Sequence, residues 1–270
     1  MCIRDSVNAM KNNFSERRST LANKVLDDSA IIIASASVKS RISDTDYAYR
    51  QDSNFYYLSG YEEPESLILI RPNHANEKFI IFCRDRDPLR EQWDGFRTGQ
   101  EGAISEYGAD ASYSINSVDQ LMPELLKGSK NIYFSMSSPC GIDSKINHWI
   151  EDIRKNMRAG AEPPENLLSL DSILHEMRLI KEDHELDIMK HAADITTEAH
   201  IRAMQAVTPG MFEYQLEAEY LYAFNKNGAR SPAYNSIVGG GTYSCILHYV
   251  ENNAELKDGD LVLVDAGCED

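Results

Sequence analysis

Short apolar runs alternate with longer polar stretches through the first half of the chain. Four of these runs are dominated by Ile, Leu and Phe, which is the composition expected of buried strands. They lie at residues 31–34, 67–70, 79–82 and 132–134. Residues 117–126 and 144–157 have helical spacing instead. Because strands that alternate with helices pack as a sheet covered by helices, the pattern predicts a mixed α/β domain.

A loop-like segment separates this half from a different second half. Residues 159–164 combine two prolines with a glycine, which is typical of a surface loop. Beyond it, residues 182–206 and 212–224 carry apolar positions at the spacing of two long amphipathic helices. We therefore expect two domains, an N-terminal one at residues 10–171 and a second at residues 172–270.

Charge and cysteine usage exclude several classes of protein. The formal net charge of −16 argues against a nucleic-acid partner, because phosphate binding requires clustered Lys and Arg. No apolar segment approaches the roughly 20 residues of a membrane helix, so no membrane partner is expected. The five cysteines are scattered and odd in number, which favours free thiols in a reducing compartment. Without a signal-peptide pattern, the expected location is the cytoplasm.

The first nine residues show no pattern of their own. Met10 opens a segment in which Ser15 can cap a helix that carries Leu21 and Val25 on one face. We therefore hypothesise that the native chain begins at Met10.

An apolar run near the end of the sequence delivers a single carboxylate. Residues 261–264 contain only Leu and Val and follow a turn-forming segment at residues 257–260, so they predict a buried strand that ends at Asp265. A strand end on a rigid scaffold is a suitable place for a metal-binding oxygen. A hydrolytic metal site needs several ligands, however. Asp265 is therefore either an ordinary strand-end residue or one ligand of a set whose other members are missing.

His248 lies shortly before this strand. On an alternating strand His248 would share a face with Ile246 and Val250, as a histidine of the core does. A turn between two strands would instead bring it close to Asp265, and the spacing leaves both interpretations open. The glycines at residues 239–241 lack the Lys-Ser/Thr that follows a phosphate-binding loop, so a turn is expected there.

Five segments together resemble a known family. They lie, in order, at residues 49–60, 175–181, 234–239, 246–249 and 258–269. In sequence and spacing they resemble the Xaa-Pro aminopeptidases, the aminopeptidase P family, from about residue 10 to the end. The resemblance implies an α/β N-terminal domain of the creatinase/prolidase type, with a mixed sheet and helices. It also implies that the first part of an α+β pita-bread metallopeptidase domain follows, truncated at its C-terminal side.

The resemblance further implies a metal centre. The family binds two divalent metal ions, most often Mn²⁺, through two aspartates, one histidine and two glutamates. Asp265 corresponds to the first aspartate, and the other four ligands are expected beyond residue 270. His248 corresponds to a catalytic histidine that approaches the substrate without binding the metals, and Tyr234 corresponds to a tyrosine beside the metal centre.

The N-terminal domain is also implied to reach the substrate. In bacterial members the N-terminal domain of a neighbouring subunit helps to line the active site. On that basis Asp44, Trp93 and Arg154 are candidate substrate-binding residues. The same resemblance implies that the full-length protein is a homo-oligomer, either a dimer or a tetramer.

The implied activity is hydrolysis of an N-terminal Xaa-Pro bond by a metal-bound hydroxide, on peptides with proline at the second position. Such a bond is a tertiary amide without an N–H, which a two-metal site can handle because it needs no such donor. The chain alone is expected to be inactive. Its unpaired sheet edges and exposed apolar surface predict aggregation or local disorder after about Ser231. The alternatives are an Xaa-Pro dipeptidase (prolidase) and a metal-free pita-bread module that binds proteins.

Overall fold

A computed structural model of the protein describes residues 3–138 and 140–269, with side chains from residue 13 onward except that of residue 159. The chain divides into two compact units, Met1–Leu179 and Ile180–Asp270. The helices of the first unit are α1 (Ile3–Ala22), α2 (Ser53–Ser59), α3 (Pro88–Asp94), α4 (Gly99–Ser105), α5 (Val118–Leu125), α6 (Ile142–Lys155) and α7 (Asp171–Leu179). Its strands are β1 (Ser29–Ala34), β2 (Ser40–Ile42), β3 (Thr45–Asp46), β4 (Leu67–Ile70), β5 (Phe79–Cys83), β6 (Ala111–Ser114), β7 (Asn131–Phe134) and β8 (Asn166–Ser169).

The central sheet of the first unit explains why its apolar runs are continuous. Six strands lie in the order β6-β5-β4-β1-β7-β8, with β1 antiparallel to β4 and parallel to β7. Successive side chains of β1 enter different apolar clusters, Ile31 and Ile33 on one face and Ile32 on the other. Because both faces of the sheet are covered, its inner strands carry continuous apolar runs, such as residues 31–33 in β1 and residues 67–70 in β4.

Helices cover the two faces of this sheet. Phe55 of α2 and Leu174 of α7 pack into the cluster on one face. Met122 of α5 and Trp149 of α6 pack into the cluster on the other. The predicted mixed α/β domain is therefore confirmed, with the four predicted strands at β1, β4, β5 and β7 and the two predicted helices at α5 and α6.

The N-terminal helix begins earlier than the sequence pattern predicts. Residues 1 and 2 lie outside the described residues, and α1 already runs from Ile3, so Ser15 lies inside the helix and the predicted N-cap is wrong. The Ser15 carbonyl accepts a hydrogen bond from the Ser19 hydroxyl at 3.0 Å, a bond typical of a helix interior. The hypothesis that the native chain begins at Met10 stays a prediction.

Two antiparallel strand pairs and two long helices form the second unit. Its elements are α8 (Asp183–Ala206), α9 (Glu213–Lys226), β9 (Ser231–Pro232), β10 (Ile237–Gly240), β11 (Val262–Asp265) and β12 (Cys268–Glu269), with a 3-10 helix at Gly241–Cys245. The core lies between the two helices and the antiparallel strand pair β10–β11, where Ala199 and Phe224 pack with Val238. The two predicted long helices are thus confirmed.

The division between the units follows α7. Leu174 belongs to the core of the first unit, so α7 folds with the sheet that precedes it. The domain boundary predicted between residues 171 and 172 stays a prediction. Along residues 3–138 and 140–269, every helix is too short or too polar to cross a lipid bilayer.

Candidate functional site

The candidate site is built on the antiparallel strand pair β10–β11. Ile237 on β10 is the register partner of Asp265 on β11, so the carboxylate lies at the end of a paired strand, as predicted. The strand is not buried throughout, and that part of the prediction is wrong. Val262 and Val264 are half-buried beside the core, whereas Leu263 on the opposite face is 41% exposed. Strand side chains alternate, and helices α8 and α9 cover one face only.

Asp265 is held by a tyrosine in the bend that follows β9. The Ala233 N–H donates to the Gly267 carbonyl at 2.9 Å and thereby brings the next residue, Tyr234, opposite Asp265. The Tyr234 hydroxyl donates to Asp265 Oδ1 at 2.5 Å. This hydrogen bond, followed by partial burial, raises the pKa of Tyr234 to about 12. The structure therefore brings together two of the residues singled out from the sequence.

His248 lies in a turn rather than on a strand. It follows the 3-10 helix and its side chain is exposed, so the interpretation as a core histidine on an alternating strand is wrong. The reason is the glycine run, which lets the chain fold back on β10. A side chain at Gly239 would place its Cβ 2.8 Å from the Tyr243 carbonyl oxygen, and Gly241 has a φ of +55°. Within the described part of the chain, no hydrogen bond joins His248 to Asp265.

Sequence reasoning missed a buried asparagine that fixes the same region. Asn252 has a φ of +47°, a conformation that Asn adopts more readily than most residues. Its Oδ1 accepts from the Val238 N–H at 2.9 Å, and its Nδ2 donates to the Ser236 carbonyl at 2.9 Å and to Glu217 Oε2 at 3.0 Å. Asn252 thus ties the segment after His248 to β10 and α9. Asn252 follows the turn that contains His248, and nothing in that local sequence indicates a buried side chain with these hydrogen bonds.

The described residues do not by themselves hold a metal ion. Asp265 offers a hard carboxylate oxygen of the kind that suits Mn²⁺. Among residues 3–138 and 140–269, however, there is no group of three or more His, Cys, Asp or Glu side chains arranged to bind one ion. A single carboxylate does not define a coordination geometry.

The three candidate substrate-binding residues lie on separate elements of the first unit. Asp44 is exposed in the turn between β2 and β3, and Arg154 is exposed in the last turn of α6. Trp93 on α3 is 88% exposed. Among the side chains that the structure describes, no hydrogen bond or ion pair joins any two of the three. The geometry thus leaves them as three separate surface positions.

Two protein families match the chain in sequence. The aminopeptidase P N-terminal domain matches residues 14–133, and metallopeptidase family M24 matches residues 187–270. Fold and site together define the class: an aminopeptidase P N-terminal domain followed by the first part of an M24 pita-bread domain.

Individual relatives give the same result. The Xaa-Pro aminopeptidase of Escherichia coli is 40% identical over 260 residues, which are 96% of this chain and 59% of that protein. The Xaa-Pro aminopeptidase 3 of Homo sapiens is 31% identical, over 90% of this chain and 48% of that protein. The structure of an aminopeptidase from Pseudomonas aeruginosa matches with a TM-score of 0.94 and 45% identity, over 96% of this chain and 59% of that one. The chain belongs to the aminopeptidase P family, and it spans 48–59% of the length of these relatives.

Proposed function

We propose that the protein to which this chain belongs is an Xaa-Pro aminopeptidase, which releases the first residue of peptides that have proline at the second position. The observation that carries the proposal is the Tyr234–Asp265 pair at the end of β11, with 2.5 Å between hydroxyl and carboxylate. It lies in a chain that is 40% identical to the Escherichia coli Xaa-Pro aminopeptidase over 96% of its length.

We further infer that the complete protein holds two divalent metal ions, which we take to be Mn²⁺, and that Asp265 is one of their ligands. When bound, such a pair polarises the scissile carbonyl and activates water near neutral pH. The second aspartate, the histidine and the two glutamates of the set belong to the part of an M24 domain that follows residue 270. Since Asp265 alone cannot hold the ions, the 270-residue chain is expected to be inactive.

The proposed roles of Tyr234 and His248 do not depend on which metal ions the protein binds. Tyr234 donates a hydrogen bond from its hydroxyl to Asp265 and so fixes the rotation of that carboxylate. His248 presents an exposed imidazole that can donate a hydrogen bond to the substrate carbonyl or to the tetrahedral oxyanion. One such donor typically contributes about 2.7–4 kcal/mol to transition-state stabilisation.

The substrate-side proposal concerns the first unit. Leu89, Trp93 and Phe96 are 76%, 88% and 91% exposed, on and just after α3. Exposed apolar surface of this kind commonly contacts another molecule. It supports the proposal that Trp93, with Asp44 and Arg154, lines the active site of a neighbouring subunit in a homodimer or homotetramer. A cytoplasmic location, and the lack of nucleic-acid and membrane partners, stay predictions.

Activity of the complete natural gene product tests this function. We expect it, with Mn²⁺ added, to release the first residue of an Xaa-Pro-Xaa tripeptide, and to lose this activity with a chelator. The 270-residue chain in the same assay serves as the matched sample without the remaining ligands.

Three outcomes would change the assignment. Faster cleavage of an Xaa-Pro dipeptide than of the tripeptide would make the protein a prolidase. Binding of a protein without any hydrolysis would make it a recognition module. Metal-dependent release by the 270-residue chain would refute the proposed ligand set.

A further inference from the structure

We propose that Glu213, the first residue of α9, is a positioning residue for His248. Its buried carboxylate binds both the strand pair that carries Asp265 and the segment that follows His248. The inference rests on the proposed function only in assigning His248 a role with substrate. The structural link itself is independent of that role.

The carboxylate of Glu213 has no exposed surface and is surrounded by hydrogen-bond donors. Its Oε1 accepts from the Gly240 N–H at 2.8 Å. Its Oε2 accepts from the Tyr249 hydroxyl at 2.8 Å and from the Ala254 N–H at 2.9 Å. Among the described residues, no lysine, arginine or histidine forms an ion pair with it. A buried carboxylate without a cation is stable only if donors such as these replace its water.

These donors come from parts of the chain that are distant in sequence. Gly240 ends β10 and is the register partner of Val262 on β11, the strand that ends in Asp265. Tyr249 and Ala254 belong to the segment that follows His248. In addition, the Glu213 backbone N–H donates to the Ala254 carbonyl at 2.9 Å. Glu213 therefore connects the β10–β11 strand pair, which carries Asp265, to the segment that follows His248.

The turn that contains His248 is fixed on both sides. Tyr243, in the 3-10 helix before His248, stacks on Tyr249 with ring centroids 5.0 Å apart and an interplanar angle of 16°. Tyr249 is buried and its hydroxyl is bound by Glu213. The backbone on either side of His248 is thus anchored while the imidazole stays exposed. If the carboxylate is lost, the Tyr249 hydroxyl keeps only its longer hydrogen bond to Asn253 Oδ1 at 3.4 Å, and the turn becomes freer to move relative to β11.

Neither helix packing nor the helix dipole accounts for a buried carboxylate at position 213. An apolar side chain at this position would fill the volume without burying a charge, so helix packing alone does not require Glu. An N-terminal helical carboxylate usually faces solvent, where it interacts with the helix dipole. Glu213 instead directs both oxygens inward to donors of the β10 end and of the His248 segment.

The test uses the complete natural protein and the substitution Glu213→Gln, which keeps the side-chain volume but replaces an acceptor by a donor. The matched control is Glu219→Gln on the same helix, whose carboxylate binds Arg202 at 2.6 Å outside this network. We expect Glu213→Gln to lower kcat on the order of 10- to 100-fold, because complete loss of one transition-state donor costs about 100- to 1000-fold and a displaced His248 keeps part of that contribution. KM should change by less than about threefold, since Glu213 itself is fully buried and makes no contact with substrate.

A double-mutant cycle separates positioning from general destabilisation. In a His248→Ala background, Glu213→Gln should reduce kcat by less than about twofold, because the group that it positions is already gone. A full additional loss in that background would overturn the proposal. Tyr249→Phe, which removes one hydroxyl and keeps the ring stacking, gives the same comparison if Glu213→Gln folds poorly.

Amide hydrogen exchange decides the structural part without any activity. Glu213→Gln should accelerate exchange at Gly240 and Ala254 on the order of 10-fold or more, while Glu219→Gln leaves both amides protected. If the wild-type protein releases no N-terminal residue, the proposed function fails, and exchange alone then decides the positioning role. Unchanged protection in Glu213→Gln would overturn it, and loss of protection confined to the His248 segment and the end of β10 would support it.

Discussion

Asn252 offers the sharpest test of how the second unit holds the segment that follows His248 against β10. The side chain is 2% exposed, and its amide pairs with the Val238 N–H and the Ser236 carbonyl, each at 2.9 Å. Asn252→Ala removes this amide and leaves both backbone groups without their partner. It also places alanine at a φ of +47°.

The expected loss follows from these contacts. Each orphaned backbone group costs about 1–3 kcal/mol, and the left-handed conformation costs alanine about 1–2 kcal/mol. Because the neighbouring Asn253 is exposed and water can reach the edge of the site, we expect the lower part of that sum, about 3–5 kcal/mol. Asn252→Gly retains the conformational freedom, so its loss should be about 1–2 kcal/mol smaller than that of alanine.

Amide exchange at Val238 measures this directly, because its N–H donates to the Asn252 side chain. Asn252→Ala should accelerate that exchange on the order of 100-fold or more. Asn253→Ala, one residue along and exposed, is the matched control and should change stability by less than about 0.5 kcal/mol. Equal exchange rates in the two alanine variants would refute the reasoning that the Asn252 amide holds the loop.

Three further outcomes follow from the packing. Gly239→Ala should lower the free energy of unfolding by about 1–3 kcal/mol in chemical denaturation, because its Cβ would lie 2.8 Å from a carbonyl oxygen; no change would mean that the strand end adjusts freely. Burial, followed by the hydrogen bond to Glu213, raises the pKa of Tyr249. The folded state therefore favours the neutral phenol, and this stabilisation is complete below about pH 10 and is lost as the pH rises through the raised pKa. Ultraviolet titration of wild type against Tyr249→Phe should show one phenol ionising late; an ordinary titration would contradict the buried hydrogen bond. Trp149→Ala should destabilise the first unit by about 3–5 kcal/mol, because the indole is fully buried; a loss below about 1 kcal/mol by circular dichroism would be inconsistent with that core.

The sequence pattern predicted the first unit well because its strands are buried on both faces. Continuous apolar runs such as residues 67–70 leave few alternatives to an inner strand, and the structure places them in β4. The pattern was less informative for β11. Its Leu and Val run suggested complete burial, yet Leu263 is 41% exposed, because whether a strand face is covered depends on elements elsewhere in the chain.

The candidate site was predicted only in part. A strand ending in Asp265 was recognisable locally, but the turn around His248 depends on the close approach of Gly239 to Tyr243. Glu213 carried no local signal, because its donors lie 27, 36 and 41 residues away along the chain. A buried carboxylate of this kind is recognised only when the donors that surround it are known.

Asp265→Asn in the complete natural protein tests the central claim most directly. The substitution keeps the side-chain shape and an acceptor for the Tyr234 hydroxyl but removes the charge that a divalent cation requires. With Mn²⁺ present, we expect the wild type to release the first residue of an Xaa-Pro-Xaa peptide. The variant should lose about 100-fold or more in kcat/KM, because losing even a residue that only supports a metal ligand typically costs about 10- to 100-fold. Unchanged proline-directed release by a correctly folded Asp265→Asn variant would contradict the assignment of β11 to the metal centre.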